Sequence, residues 1–451
     1  MFTLNDLQEL FPRTKGNIST NFTIEKVITD SRTKTENALF VPIIGNTFDG
    51  HKFIQQAIEN GAIAALWDEK VEIPNHLPEG FVIYTVGDTI EALQHLAKAY
   101  RNKVNPIVIG ITGSNGKTTT KDLIKSVLQT KRKTHATAGN FNNHIGLPLT
   151  ILEMPADTEI LITEMGMSDF GEIKTLSNIA MPDYAIITNI GESHIEHLGS
   201  RSGIAEAKLE IRHGLKEDGI LLIDGDEILL ETIKAEANVI SCGMADTNTV
   251  VISNISVQDN VTDFSLNGEQ FTIPLLGAHH AKNASFAITV ARDLDYDKIN
   301  IQKGLKTFNQ STMRFEKMTG KNGATIINDA YNASATSMKA GIEVVKQLSG
   351  FKHKGLVLGD ILELGEHAKT LHLTVADVID ESIQFVYTFG ESANEISALV
   401  KNEHPTIRCK HFLTKSDLTH ELSKELNADT LLFFKASRGM KFEEIIESIL
   451  E

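Results

Sequence analysis

Apolar positions along this chain keep two rhythms. Short uninterrupted runs such as PIVIGIT (106–112), EILITEM (159–165), YAIITNI (184–190) and GILLIDG (219–225) alternate with stretches in which apolar residues return every three to four positions. A strand buried on both faces reads as a continuous apolar run, and the helices that cover it read with a 3.6 period, so this alternation predicts a parallel sheet clothed by helices. Residues 1–98 are lighter, with short strands predicted at 25–28, 39–42, 62–67 and 81–86 and helices at 49–60 and 89–104. From about 105 a buried strand runs through a Gly-rich turn into a helix at 117–129. After Arg314 the rhythm restarts with ATIINDA, a helix near 336–348, then KGLVLGD, QFVYTFG and TLLFFKA, which predicts a second parallel sheet.

These patterns divide the chain into 1–98, 99–311 and 312–451. The fold class is α/β with three domains: a small N-terminal α/β domain, a central P-loop parallel-sheet domain and a C-terminal Rossmann-like domain. A length of 451 residues suits two to four cores, and no fixed-period repeat suggests a solenoid.

Composition changes the picture only in what it excludes. With 43 Lys and Arg against 59 Asp and Glu the net charge is −16, a background that repels nucleic acid and anionic membrane surfaces. An anionic substrate must therefore be held by locally placed cations and backbone N–H groups. Cys242 and Cys409 stand in no metal-ligand spacing, which fits a reducing compartment. Asp6 and Glu9 occupy the N-terminal stretch where a signal peptide would be basic, and no run approaches a membrane span. A cytoplasmic protein is expected.

The strongest chemistry lies in GITGSNGKTTT (110–120). A glycine-rich turn between a buried strand and a helix aims successive N–H groups and the helix N-terminus at one point, which suits a polyphosphate. Gly113, Ser114, Asn115, Gly116 and Thr119 would line it, Lys117 would neutralise phosphate oxygens, and the Thr118 hydroxyl would ligate the accompanying Mg²⁺. The strict P-loop pattern misses by one residue, since Ile111 stands where the first glycine belongs, and this argues against an ordinary GTPase or kinase loop.

Strands of an open α/β sheet deliver their C-terminal residues to the ligand crevice. EILITEM ends with Glu164 there, and YAIITNI leads to Asn189, His194, Glu196 and His197 at the same edge. A carboxylate and an imidazole so placed could hold a metal, although a single loop histidine is more often a capping residue. Lys208, with Glu210 and Arg212 near it in sequence, reads by spacing alone as part of a solvated helix face.

The loop and several further stretches resemble the Mur ligases, ATP-dependent enzymes of peptidoglycan precursor synthesis, over essentially the whole chain. TGSNGKTTT, GNFNNHIGLPLTIL, EMGMSDFGEI, NIGESHIEHLGS and GDILELG carry the resemblance, and they are most similar to the members that add a terminal dipeptide. The resemblance implies an ATP-dependent ligase joining D-alanyl-D-alanine to a UDP-N-acetylmuramoyl tripeptide, with ATP, two Mg²⁺ and CO₂, bound as a lysine carbamate, as cofactors. A monomer without nucleic-acid or membrane partners is expected. It assigns the UDP-sugar to the first domain, ATP to the second and the incoming dipeptide to the third.

Residue by residue, the resemblance implies substrate contacts at Ser31, Arg32, Asp49, Gly50 and His51, and at Asn140, Asn143, Tyr331 and Asn332. It puts Mg²⁺ on Thr118, Glu164, His194 and a carbamylated Lys208, and it makes Lys117, Lys208 and His194 the catalytic set. LLGAHHAKNASFA resembles a family segment G-x-H-N-x-x-N, with His280 in place of the first Asn and Asn283 near the adenine. Arg314 and Asp329 would approach the nucleotide from the third domain. INDAYNASATSM departs from the family pattern at Ser334 and Ala335, and KASRGMKFEE has Ala436 where Gly is common. Two rivals stay open: another Mur-type ligase or a folylpolyglutamate synthase, and a nucleotide-dependent switch that ligates nothing.

Overall fold

The computed structural model describes residues 1–16, 22–45, 47–258, 260–309 and 311–451. Among these residues three main sheets follow one another along the chain, of five, nine and six strands.

In the N-terminal unit the strands Lys26–Ile28, Ala38–Phe40, Ala62–Asp68 and Val82–Val86 pair in parallel, and Thr14–Lys15 closes one edge antiparallel. Where a single helix is predicted over 49–60, a 3-10 turn Gly50–Phe53 precedes a short helix Ile54–Glu59. Asp49 causes the break: its carboxylate caps the N–H of His51, two residues on, and so tightens the first turn.

The helix Thr89–Val104, capped by the Asp88 carboxylate at Ile90 N and Glu91 N, carries the chain into the central domain. It also fastens the two. The Tyr100 hydroxyl donates to Met154 O at 3.0 Å, and the buried Arg101 guanidinium donates to Ala180 O at 3.0 Å and Met181 O at 3.1 Å.

The central sheet is mixed. Ile107–Thr112 sits between Ile160–Glu164 and Tyr184–Ile187, parallel to both, and the parallel run continues through Ile220–Asp224 and Val239–Gly243 to Val250–Gln258. Val261–Leu266 and Glu269–Ile273 then add antiparallel, joined by a tight turn with Asn267 and Gly268 at positive φ. This edge alternates between more and less buried residues, as an antiparallel strand with one wet face must, whereas the inner strands are buried along nearly their whole length. Helix Lys117–Leu128 packs on Ala278–Asp293 over one face.

In the C-terminal domain Thr325–Asn328, Thr430–Lys435, His353–Gly359, Phe385–Phe389 and Arg408–Phe412 lie side by side in parallel, with Glu316–Thr319 antiparallel at one edge. The last strand is thus inserted between the first two, which brings Asp329 and Lys435 to adjacent strand ends facing the central domain.

Candidate active site

Thr112 ends its strand and the chain turns through Gly113 (φ 147°) and Gly116 (φ 80°) into helix Lys117–Leu128. Both glycines are required. A Cβ on Gly113 would lie 1.8 Å from Thr188 Oγ1, and one on Gly116 would lie 2.7 Å from Asn283 Oδ1. The turn is strapped to the end of the neighbouring strand: Asn115 N donates to Asn189 Oδ1 (3.0 Å), Asn189 Nδ2 to Asn115 O (2.9 Å), Thr188 Oγ1 to Asn115 O (2.6 Å) and Gly191 N to Ser114 Oγ (2.8 Å). The loop's shape is therefore fixed before any ligand arrives.

Lys117 folds back on that loop, its Nζ donating to Gly113 O at 2.7 Å and Ser114 O at 3.4 Å. Burial lowers its pKa, with Glu164 opposing and Arg314 adding to the shift. The Thr118 hydroxyl donates to Glu164 Oε2 at 2.9 Å, and Asn142 Nδ2 donates to Glu164 Oε1 at 3.0 Å. Glu164 N is in turn held by Thr137 Oγ1 at 3.0 Å. A buried carboxylate is thus aimed at the foot of the loop by its neighbours.

Around these residues opens a cavity of about 670 Å³ shared by the central and C-terminal domains. It brings together Gly113 to Thr119, Asn143, Glu164, His194, Lys208 and Asn283 from the central domain with Arg314, Asp329, Tyr331 and Asn332 from the segment beyond. Arg314 lies 4.3 Å over the Tyr331 ring, and it is flanked by Met313 and Phe315, both with positive φ. Phe315 N donates to Asp329 Oδ1 at 3.1 Å.

Lys208 is buried, and desolvation pushes its amine well below the usual lysine range, with Lys117 adding to the effect. His194 turns its Nδ1 to Glu363 Oε2 at 2.5 Å. Burial lowers its pKa against the pull of that carboxylate. Among the described residues no group of three or more His, Cys, Asp or Glu side chains is drawn together tightly enough to cage a metal by itself. Oxygen donors on Thr118 and Glu164 beside a phosphate loop suit Mg²⁺, which uses one or two carboxylates and completes its shell from phosphates and water.

The other expected residues lie elsewhere. Ser31, Arg32, Asp49, Gly50 and His51 are in the N-terminal unit, outside this cavity, and Asn140 is exposed beside it. Ser31 Oγ donates to Gln56 Oε1 at 2.7 Å, and Arg32 pairs with Asp30 at 2.7 Å. His51 is buried against Trp67, with Nδ1 2.7 Å from Asp49 Oδ1 and Nε2 accepting from Asp68 N at 3.3 Å.

Sequence reasoning missed several residues that the structure adds. Asn142 holds Glu164. Lys435 reaches Asp329 Oδ2 at 2.5 Å and Asn332 O at 3.2 Å, tying the 329–332 turn to the last strand. His279, which lines the cavity against His280, is held neutral with its pKa pushed down to about 4 by burial, Asp329 and Lys435 acting in opposite senses. Lys435 and His279 stood inside segments already noted as motif matches, which was the available signal.

Fold and loop together define a phosphate-loop α/β protein whose ligand cavity closes between two domains. Three family models match the chain in order: "Mur ligase family, catalytic domain" over 23–101, "Mur ligase middle domain" over 111–291 and "Mur ligase, glutamate ligase domain" over 313–438. The UDP-N-acetylmuramoyl-tripeptide--D-alanyl-D-alanine ligase of Bacillus subtilis (strain 168) is 45% identical, covering 100% of this chain and 98% of its own. That of Buchnera aphidicola (subsp. Baizongia pistaciae) is 33% identical over 96% of this chain and 93% of its own. The crystal structure of MurF from Acinetobacter baumannii superposes with a TM-score of 0.87 at 28% identity, covering 99% of this chain and 98% of its own. MurF from Thermotoga maritima in complex with ADP gives 0.81 at 29% identity over 94% of this chain and 96% of its own. The chain belongs to the Mur ligase family.

Proposed function

We propose that this chain is the ATP-dependent ligase that joins D-alanyl-D-alanine to UDP-N-acetylmuramoyl tripeptide, as the names of its relatives describe. The observation that carries the chemistry is the facing arrangement at the loop. Lys117 and Thr118 with Glu164 stand on the central domain, and Arg314 with Asp329 closes over them from the C-terminal side. We assign residues 1–98 to the UDP-sugar end of the acceptor, 99–311 to ATP and 312–451 to the incoming dipeptide, a division supported by the order of the family models.

A carboxylate resists attack by an amine until it gains a leaving group. Transfer of the γ-phosphoryl group of ATP to the tripeptide carboxylate supplies one. Lys117 would leave the carbonyls of Gly113 and Ser114 for phosphate oxygens, and Arg314 would meet the charge spread over the transferring group. The dipeptide amine then attacks the acyl carbon of the acyl phosphate, and inorganic phosphate departs. Packing of the C-terminal domain over the loop keeps water from the acyl phosphate.

Thr118, Glu164 and His194 would hold Mg²⁺, which supplies positive charge against the phosphates. Lys208, a buried amine whose pKa desolvation lowers, is suited to add CO₂ with loss of one proton. The resulting carbamate would place a negative charge near Lys117 and offer oxygen to a second Mg²⁺. No helix among the described residues is long and apolar enough to cross a membrane.

The test is phosphate release from MgATP with the UDP-linked tripeptide, with and without D-alanyl-D-alanine, read alongside the mass of the product. Dipeptide-dependent release with a pentapeptide product is expected. Turnover only with a different amino acid would transfer the chain to another branch of the family.

A further inference from the structure

Among the described residues, side chains of the C-terminal domain meet the central domain around the loop at several polar points. Ser334 exchanges hydrogen bonds with the Asn115 amide (3.1 and 3.2 Å), Thr336 Oγ1 donates to Glu192 Oε1 (2.8 Å), and Glu363 Oε2 lies 2.5 Å from His194 Nδ1. The first two contacts hold the domains together. The third meets a side chain that itself faces the cavity.

Both partners in that third contact have left-handed backbone, His194 at φ 64° and Glu363 at φ 61°. Neither residue type adopts this conformation without cost, and two such residues meeting across an interface mark a contact that the surrounding structure enforces. The enforcement is visible. Glu196 N donates to Glu363 O at 3.3 Å, and a Cβ on Gly365 would come within 3.0 Å of Glu196 Cγ, so backbone meets helix start closely. On its own domain the 360–363 loop is anchored at both sides. The Asp360 carboxylate accepts from Glu391 N (2.8 Å), Ser392 N (3.0 Å) and Ala393 N (2.7 Å), and Leu362 N donates to Ser437 Oγ at 2.9 Å.

An imidazole that binds a metal through one nitrogen usually gives the N–H of the other to a carboxylate, which fixes the ring and makes the ligating nitrogen more basic. We infer that Glu363 is a positioning residue for His194, delivered by the C-terminal domain, so that the histidine is oriented for magnesium only when that domain has packed against the loop. His194 Nδ1 stands 2.5 Å from Glu363 Oε2, and Nε2 is then the ring nitrogen left for a metal. Domain closure and competence of the metal site thereby become one event. The inference rests on the reading of His194 as a magnesium ligand.

The test uses the full-length protein with Mn²⁺ in place of Mg²⁺ and a non-hydrolysable ATP analogue. Pulsed EPR reads the nitrogen coupling of a bound imidazole, and the continuous-wave signal of free Mn²⁺ reads affinity. Wild type and Glu363→Gln, which keeps an acceptor oxygen, are expected to show the nitrogen coupling. Glu363→Ala is expected to lose it and to bind Mn²⁺ about tenfold more weakly. Both variants carry the same backbone strain, so the difference between them isolates the hydrogen bond. Unchanged coupling and affinity in Glu363→Ala would overturn the inference, and so would a Gln variant as impaired as the Ala variant. His194→Ala separates the two layers: if it too keeps the nitrogen coupling, the metal assignment itself is wrong.

Discussion

The loop at 113–119 and the loop at 49–51 both match family motifs, yet they use their polar atoms in opposite ways. In the first, surrounding residues hold the backbone while Lys117 and the start of helix Lys117–Leu128 face an open cavity. In the second, the polar atoms are spent inside the fold: Asp49 caps His51 N, His51 bridges Asp49 and Asp68, and Gly50 sits against the backbone of Ile43, where a Cβ would lie 2.8 Å from Ile43 N. A motif can therefore record either a ligand contact or the shape of a loop that presents one. Only the disposition of donors and acceptors separates the two.

The largest expected effect tests the first side of that contrast. Lys117→Ala should reduce dipeptide-dependent phosphate release by about 10²–10³-fold, the scale of losing one charge-stabilising donor, with no drop in melting temperature because a buried cation is removed. Next comes the second side. His51→Ala should lower unfolding free energy by about 2–4 kcal/mol, since it opens a cavity beside Trp67 and orphans Asp68 N, with denaturant melts as the readout. A variant that stays stable but binds the UDP-linked acceptor poorly would instead make His51 a contact residue and collapse the comparison.

A smaller effect concerns pH. His279 titrates near 4 in the folded protein, against about 6.5 unfolded. Between those values the unfolded chain binds the extra proton, so the associated stability is complete above 6.5 and is lost as pH falls toward 4. Replacement by Asn should flatten that part of the stability profile, measured by urea unfolding at pH 5 and pH 8. The smallest effect belongs to Arg32, whose pairing with Asp30 is at the surface. Arg32→Ala should leave the melting temperature unchanged, so a rise in KM for the UDP-linked substrate would report a ligand contact alone.

Much of this architecture was legible because its signals are local. The strand, glycines, lysine and helix of the phosphate loop are contiguous, and Glu164 and His194 follow strand ends that any parallel sheet must aim at one edge. The antiparallel hairpins over 250–273 passed unread, since their alternating pattern is weaker than the continuous runs beside it. Glu363 and Glu192 were unreadable as site neighbours for a different reason. Their partners His194 and Thr336 are over a hundred residues away in each case, and no periodicity encodes how two domains face each other. The role of Asn142 toward Glu164 was unread because three asparagines within four positions cannot be told apart until the turn is seen.

The fastening of Tyr100 and Arg101 to the carbonyls of Met154, Ala180 and Met181 has a thermodynamic corollary. Those bonds are largely buried and tie the first unit to the second, whereas the C-terminal domain is held by polar contacts at a partly wetted seam. Heat should therefore find two cooperative blocks in a three-sheet chain: the first two sheets melting in a single calorimetric transition, and the third coming away as its own.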